Sequence, residues 1–255
     1  MLRFSANLGF LWKELDLPDA IRAAKRAGFD AVECHWPFEY PATTINTALS
    51  ETGFTMLSLN TVAGNKGETG LAALPGREIE AKQAIDQAIN YASCINSQFV
   101  HVMAGVADGA DSTAIFIDNL HYACKAAKAL EISVLIEPIN HHDMPGYFLH
   151  SATQALRVLQ AVDASNLKIM FDCYHMQRIH GDLGHWLETL SPHIGHIQIA
   201  SVPDRTEPDT RGDELNYAEV FATIERIGYM GMIGAEYKPA KSTEKGLGWL
   251  EAYRQ

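Results

Sequence analysis

Short apolar runs rich in β-branched residues alternate with longer segments of helical period along the whole chain, and no linker or low-complexity stretch interrupts them. The strand candidates are 2–8, 30–35, 55–61, 98–103, 133–137, 168–172, 196–201 and 232–236. That is about eight, the number a closed parallel barrel requires. Between them, 17–27, 77–95, 114–130, 151–161 and 217–227 place apolar residues every three or four positions among Ala, Leu, Lys and Gln, which predicts helices. Gly28, Gly53 and Gly228 follow three helices as stops. Val134-Leu135-Ile136 and Ile169-Met170-Phe171 are continuous apolar runs, as parallel strands buried on both faces should be. A single (β/α)8 TIM barrel over residues 1–255 is therefore expected. The rival is an open doubly wound sheet, which normally carries a glycine-rich loop after its first strand. Asn7-Leu8-Gly9-Phe10 is neither a GxGxxG nor a P-loop sequence, so no nucleotide cofactor is expected.

Composition narrows the partners. Twenty Lys and Arg against 31 Asp and Glu give a net charge of −11, which disfavours nucleic acid, whose affinity rests largely on phosphate neutralisation. No apolar run approaches the roughly 18 residues of a membrane span. Acidic residues come too early in the first 19 residues for a signal peptide, and the four cysteines are scattered. A reducing cytoplasm and a small polar substrate are expected.

In such barrels the active site is built at the carboxyl ends of the strands. Here those ends are polar: Asn7, Glu33 with His35, Asn60, His101, Glu137, Asp172, Gln198 and Glu236. Glu137, Asp172, Gln198 and Glu236 end four successive strands, which a barrel gathers on one side of one mouth. Three carboxylates converging there repel one another unless a cation holds them. Oxygen donors without thiolate or imidazole predict Mg²⁺ or Mn²⁺ rather than Zn²⁺, and a hydrogen-bonded carboxylate cluster without metal is the alternative.

Ile-Glu-Pro-Ile-Asn (136–140), Met-Pro-Gly-Tyr-Phe-Leu (144–149), Phe-Asp-Cys-Tyr-His-Met-Gln (171–177), His-Ile-Gln-Ile-Ala (196–200) and Ala-Glu-Tyr-Lys-Pro (235–239) closely resemble the hydroxypyruvate isomerase family. Arg-Phe-Ser-Ala-Asn-Leu (3–8), Asn-Thr (60–61) and Gly-Leu-Ala-Ala-Leu-Pro-Gly-Arg-Glu (70–78) extend the resemblance over nearly the whole chain. It implies a xylose-isomerase-like barrel and aldose–ketose isomerisation of a small anionic hydroxy-oxo acid, hydroxypyruvate or a 2-oxo-tetronate. It also implies that Glu137 and Glu236 are the catalytic pair, with Asp172 and Gln198 completing the metal site. The more distant ketose 3-epimerases usually have histidine where this chain has Gln198, which leans the site away from softer metals.

The same epimerases suggest His175, three residues after Asp172, as a substrate contact. His101 either faces the lumen or packs in the core. Asn7 closes the first strand and joins the expected substrate contacts. An anionic substrate before three carboxylates needs a cation, and Arg205, in the loop after Gln198, and Lys238, two residues beyond Glu236, are both expected to reach the mouth. Arg205 is favoured for gripping a carboxylate and Lys238 for attraction, against the plainer reading of surface pairing with Glu207 or Glu244. His141 and His142 read as surface residues and Cys173 as a packing residue. Residues 61–76, with four glycines, read as a mobile lid or a plain connection. Trp12, Trp36, Phe38 and Trp249 suit core packing, a pocket wall or a contact between copies in a homo-oligomer. Two rival functions are an apurinic-endonuclease-like phosphodiesterase, which the acidic balance opposes, and a non-catalytic sugar-acid binder.

Overall fold

The computed structural model describes residues 2–208 and 214–253. Its strands are β1 (Phe4–Asn7), β2 (Ala31–Glu33), β3 (Ser58–Asn60), β4 (Phe99–His101), β5 (Ser133–Ile136), β6 (Leu167–Asp172), β7 (Ile194–Ile199) and β8 (Ile233–Ala235). All paired strands are parallel, in the order β2-β1-β8-β7-β6-β5-β4-β3. The ring closes between β2 and the segment entering β3, where the Leu57 N–H donates to the Val32 carbonyl at 2.7 Å and Val32 bridges Met56. This is the expected barrel rather than an open sheet.

Around it run α1 (Leu17–Arg26), α2 (Ala42–Thr52), α3 (Glu78–Cys94), α4 (Ala110–Lys128), α5 (Ala152–Val162), α6 (Cys173–His180), α7 (Leu183–Leu190), α8 (Tyr217–Arg226) and α9 (Gly248–Tyr253). The period predicted for 77–95 appears as α3, which buries Ala81, Ala84, Ile85, Ala88, Ile89 and Ala92, one apolar stripe along its length. None of the described helices is long and apolar enough to cross a membrane.

Two details position the mouth. The pairing of β6 with β7 slips by one residue at Gly195, between Ile169↔Ile194 and Met170↔His196, and this brings Asp172 level with Gln198. A Cβ at residue 195 would stand 2.6 Å from the Lys168 Cβ, so the slip needs glycine. The segment read as a lid is pinned over its second half. Gly70 bridges Ala104, Ala73 N–H donates to the Ala104 carbonyl at 2.8 Å, and Leu71 to Leu74 are buried. The tip, 64–67, is exposed, as are Pro75 and Gly76 where the segment enters α3.

Candidate active site

β1, β5, β6 and β8 bring Asn7, Glu137, Asp172 and Glu236 together, and all four are buried. The two glutamates have opposite surroundings. Glu236 Oε1 accepts from Asn7 Nδ2 at 2.8 Å and faces His35 Nε2 at 3.1 Å, while its Oε2 accepts from Arg205 at 2.6 Å. Burial raises the Glu236 carboxyl, but Arg205 and His35 more than offset this and bring it down to about 2. Glu137 has no such escort. His101 Nδ1 and His175 Nε2 each stand 3.8 Å from it, beyond hydrogen-bond range, and its Oε1 has no partner. Burial, then the charges of Glu236 and Asp172, push its carboxyl well up.

Asp172 lies between these cases. Its Oδ1 caps α6 by accepting the Tyr174 N–H at 2.9 Å, and its Oδ2 accepts from Arg205 at 3.1 Å. Burial outweighs Arg205 and raises it to about 7.

Arg205 is built into place. Residue 205 has φ of 55°, a costly backbone state for a non-glycine residue. The turn is fixed by Arg205 N–H to the Ser201 carbonyl (3.0 Å), the Ser201–Thr206 hydroxyl pair (2.8 Å) and Lys238 N–H to the Arg205 carbonyl (2.7 Å). The guanidinium lies 5.0 Å from the Phe10 ring and 4.9 Å from the Tyr174 ring. The plainer alternative, surface pairing with Glu207, is not its arrangement, since Glu207 instead accepts the Ala240 N–H at 3.1 Å. Lys238 is exposed, and what it gives the site is that backbone N–H.

His175 is a donor by elimination. Its Nδ1 accepts the Asn140 backbone N–H at 3.3 Å and lies 2.7 Å from Asn140 Nδ2, and Asn140 Oδ1 accepts the Asp143 N–H at 3.0 Å, which fixes that amide. The proton of the neutral ring therefore sits on Nε2, facing Asp172 at 3.7 Å and Glu137. Burial and then Arg205 keep the ring neutral. His101 is also buried and faces the lumen side of Glu137; burial lowers it to about 4, and its Nε2 has no partner.

Glu137, Asp172 and His175 each offer a ligand atom, all within 4.8 Å of one another. His175 Nε2 carries its proton, which leaves oxygen as the donor type. Glu137 Oε1 and Gln198 Oε1 are buried oxygens without partners, and Gln198 stands beside Asp172 in the register of β6 and β7. That donor set fits a hard divalent cation.

A model of xylose isomerase-like TIM barrels matches residues 21–253. The chain belongs to the xylose isomerase-like TIM barrel family. It is 44% identical over 259 residues to the 2-oxo-tetronate isomerase of Cupriavidus necator, covering 99% of each chain. It is 39% identical over 260 residues to the hydroxypyruvate isomerase of Escherichia coli, covering 100% of each. The crystal structure of an AP endonuclease, family 2, from Brucella melitensis matches over 100% of both chains at 37% identity and a TM-score of 0.95. The two curated relatives place this xylose isomerase-like barrel among isomerases.

Two residues of this family member were visible at strand ends without a role. His35 touches Glu236, and Glu33 touches Gln198. The sequence trace of the first is Gly9, where a Cβ would stand 2.3 Å from His35 Nδ1. His141 and His142 are exposed, and Cys173 is buried with its thiol pushed up by burial and then Asp172, a packing residue rather than a nucleophile. Trp12 and Trp249 are core, whereas Trp36 is 45% exposed with its indole N–H on the Thr61 carbonyl at 3.0 Å.

Proposed function

We propose that the chain interconverts a 3-hydroxy-2-oxo acid and its 2-hydroxy-3-oxo isomer, with hydroxypyruvate and tartronate semialdehyde as the three-carbon pair and 2-oxo-tetronate as the four-carbon alternative. The asymmetry of the two glutamates carries this reading. A carboxylate held ionised by three donors and a bare, desolvated carboxyl held protonated are a base and an acid ready at one mouth. Glu236 takes the proton from the carbon bearing the hydroxyl, the electron pair forms a cis-enediolate, the hydroxyl proton passes to the former carbonyl oxygen, and Glu137 returns a proton to the neighbouring carbon. The reverse reaction exchanges the roles.

Arg205 spends one nitrogen on Glu236 and Asp172, and its buried Nε has no partner. The rest of the fork suits the substrate carboxylate. His175 Nε2–H and the unpaired His101 ring nitrogen suit the substrate oxygens, and Asn7 acts by holding Glu236. A divalent cation, Mg²⁺ or Mn²⁺, held by Glu137, Asp172, Gln198 and Glu236 needs Glu137 ionised; it would supply positive charge where the enediolate oxygens develop theirs, and the proton returned to the neighbouring carbon would then be the one Glu236 had taken.

The test is a panel of hydroxypyruvate and both 2-oxo-tetronate enantiomers, comparing kcat/KM with and without chelator in deuterated water. Turnover of at least one acid with solvent deuterium entering the transferred position is expected. A protein that binds these acids and never exchanges a proton is a binder, and the reading falls.

A further inference from the structure

A second polar cluster lies inside the barrel, and apart from Gln198 the reaction above does not use it. Glu33, at the end of β2, is fully buried. Its Oε2 lies 2.7 Å from His196 Nε2, accepts from the Ser58 hydroxyl at 3.2 Å and accepts from Gln198 Nε2 at 3.4 Å. The His196 ring stacks on Phe99 with centroids 6.0 Å apart. β8 passes this cluster with Gly234, where a Cβ would stand 2.1 Å from Glu33 Oε1 and 2.9 Å from both Gln198 Cγ and His196 Nε2. The barrel gives up a side chain so that these three can meet.

The two ends of a glutamine amide are chemically opposite. One offers a carbonyl oxygen to a cation, and the other offers N–H groups that repel it. Glu33 accepts from the Nε2 end, which leaves Gln198 Oε1 buried and unpartnered on the strand beside Asp172. We propose that Glu33 is the positioning residue that turns the Gln198 amide, so that its oxygen and not its nitrogen faces a divalent cation held with Glu137 and Asp172. This rests on the reading of Gln198 as a cation ligand.

The experiment measures Mn²⁺ affinity of the substrate-free protein by calorimetry with MnCl₂ alone. Gln198→Met should weaken binding at least tenfold, and Glu33→Leu by about 10- to 100-fold, the range for an outer partner of a metal ligand. Glu33→Gln keeps one oxygen for all three donors and should stay within about twofold of the parent, the margin of independent sites. The Glu33→Leu/Gln198→Met pair should bind no more weakly than Gln198→Met alone, because Glu33 acts through Gln198. If Gln198→Met leaves affinity unchanged, the ligand reading and this inference both fall. If Gln198→Met weakens binding while Glu33→Leu does not, or if the pair is additive, the inference alone falls. Should Glu33→Leu fail to fold, NMR of the parent decides: the Gln198 side-chain amide protons should exchange slowly with water and the Gln198 side-chain carbonyl should shift on adding Mg²⁺. Fast exchange, or a carbonyl indifferent to Mg²⁺, overturns the proposal.

Discussion

On the β8 side of the mouth, Glu236 is surrounded by donors from three separate loops and strand ends, Asn7, His35 and Arg205. On the β5 side, Glu137 has two neutral imidazoles at 3.8 Å and an oxygen with no partner. The residues are chemically identical and both are buried, so burial alone cannot tell them apart. What differs is the donors, and they set opposite protonation states within one cavity.

The strongest challenge to this contrast removes each carboxyl in turn. Glu236→Gln and Glu137→Gln keep shape and lose the ionisable group, and each should lower kcat by roughly 10² to 10⁴, the range for lost general acid–base catalysis. Near-normal turnover by either folded variant would break the pair. Arg205→Met should cost less, about 10- to 100-fold in kcat/KM, from the roughly 1.5 to 3 kcal/mol of a hydrogen bond to a charged group. Two further signs identify its work. The loss should be larger for the acid substrate than for an uncharged hydroxyketone. Because Arg205 holds Glu236 down, its removal raises that carboxyl, so the base is protonated sooner as pH falls and the acid limb of the rate profile moves to higher pH. Equal losses on both substrates with an unmoved limb would refute both roles.

The bare side makes its own prediction. Glu137 is raised well above the usual carboxyl range and Asp172 to about 7, so a cation binding there must displace protons. Mn²⁺ affinity should therefore increase between pH 6 and pH 8, by up to about tenfold per unit for each proton displaced, and calorimetry in buffers of different ionisation enthalpy should show proton release. Affinity that is flat with pH would mean that these carboxyls are already ionised.

The mouth was legible because a parallel barrel makes strand order and strand ends readable from one dimension. Apolar runs that stop at Glu137, Asp172, Gln198 and Glu236 announce four converging side chains once the barrel is inferred. What each side chain does there was less legible. Gln198 sends its nitrogen inward to Glu33, a partner 165 residues away on a strand whose polar end carried no obvious task. Arg205 reaches the mouth through a left-handed backbone residue that spacing does not reveal, and Lys238 reaches it only through its N–H. α6 and α7 were not among the expected helices. Each is only eight residues long, and α6 begins directly on Asp172, which is at once a strand end, a cap and a site residue.

The smallest expected effect concerns the donor that had no assigned role. His35 supplies Glu236 with one of three partners, its ring placed by edge contacts with Phe10 at 5.3 Å and Trp36 at 5.2 Å. His35→Phe preserves those aromatic contacts and removes only the nitrogen, so stability should hold while kcat falls about fivefold, the ~1 kcal/mol of an ordinary hydrogen bond. The acid limb should move upward, as with Arg205→Met but by less, because Arg205 stands ahead of His35 among the groups that lower Glu236. Gly9→Ala reaches the same ring from the other side. Its new Cβ would stand 2.3 Å from His35 Nδ1 and force the ring away from Glu236. If His35 matters through Glu236, the two variants should share one phenotype, and the double variant should be no worse than the poorer single one. A Gly9→Ala protein with parental kinetics and an unmoved pH profile would show that His35 is only part of the wall, and the donor side would then rest on Asn7 and Arg205 alone.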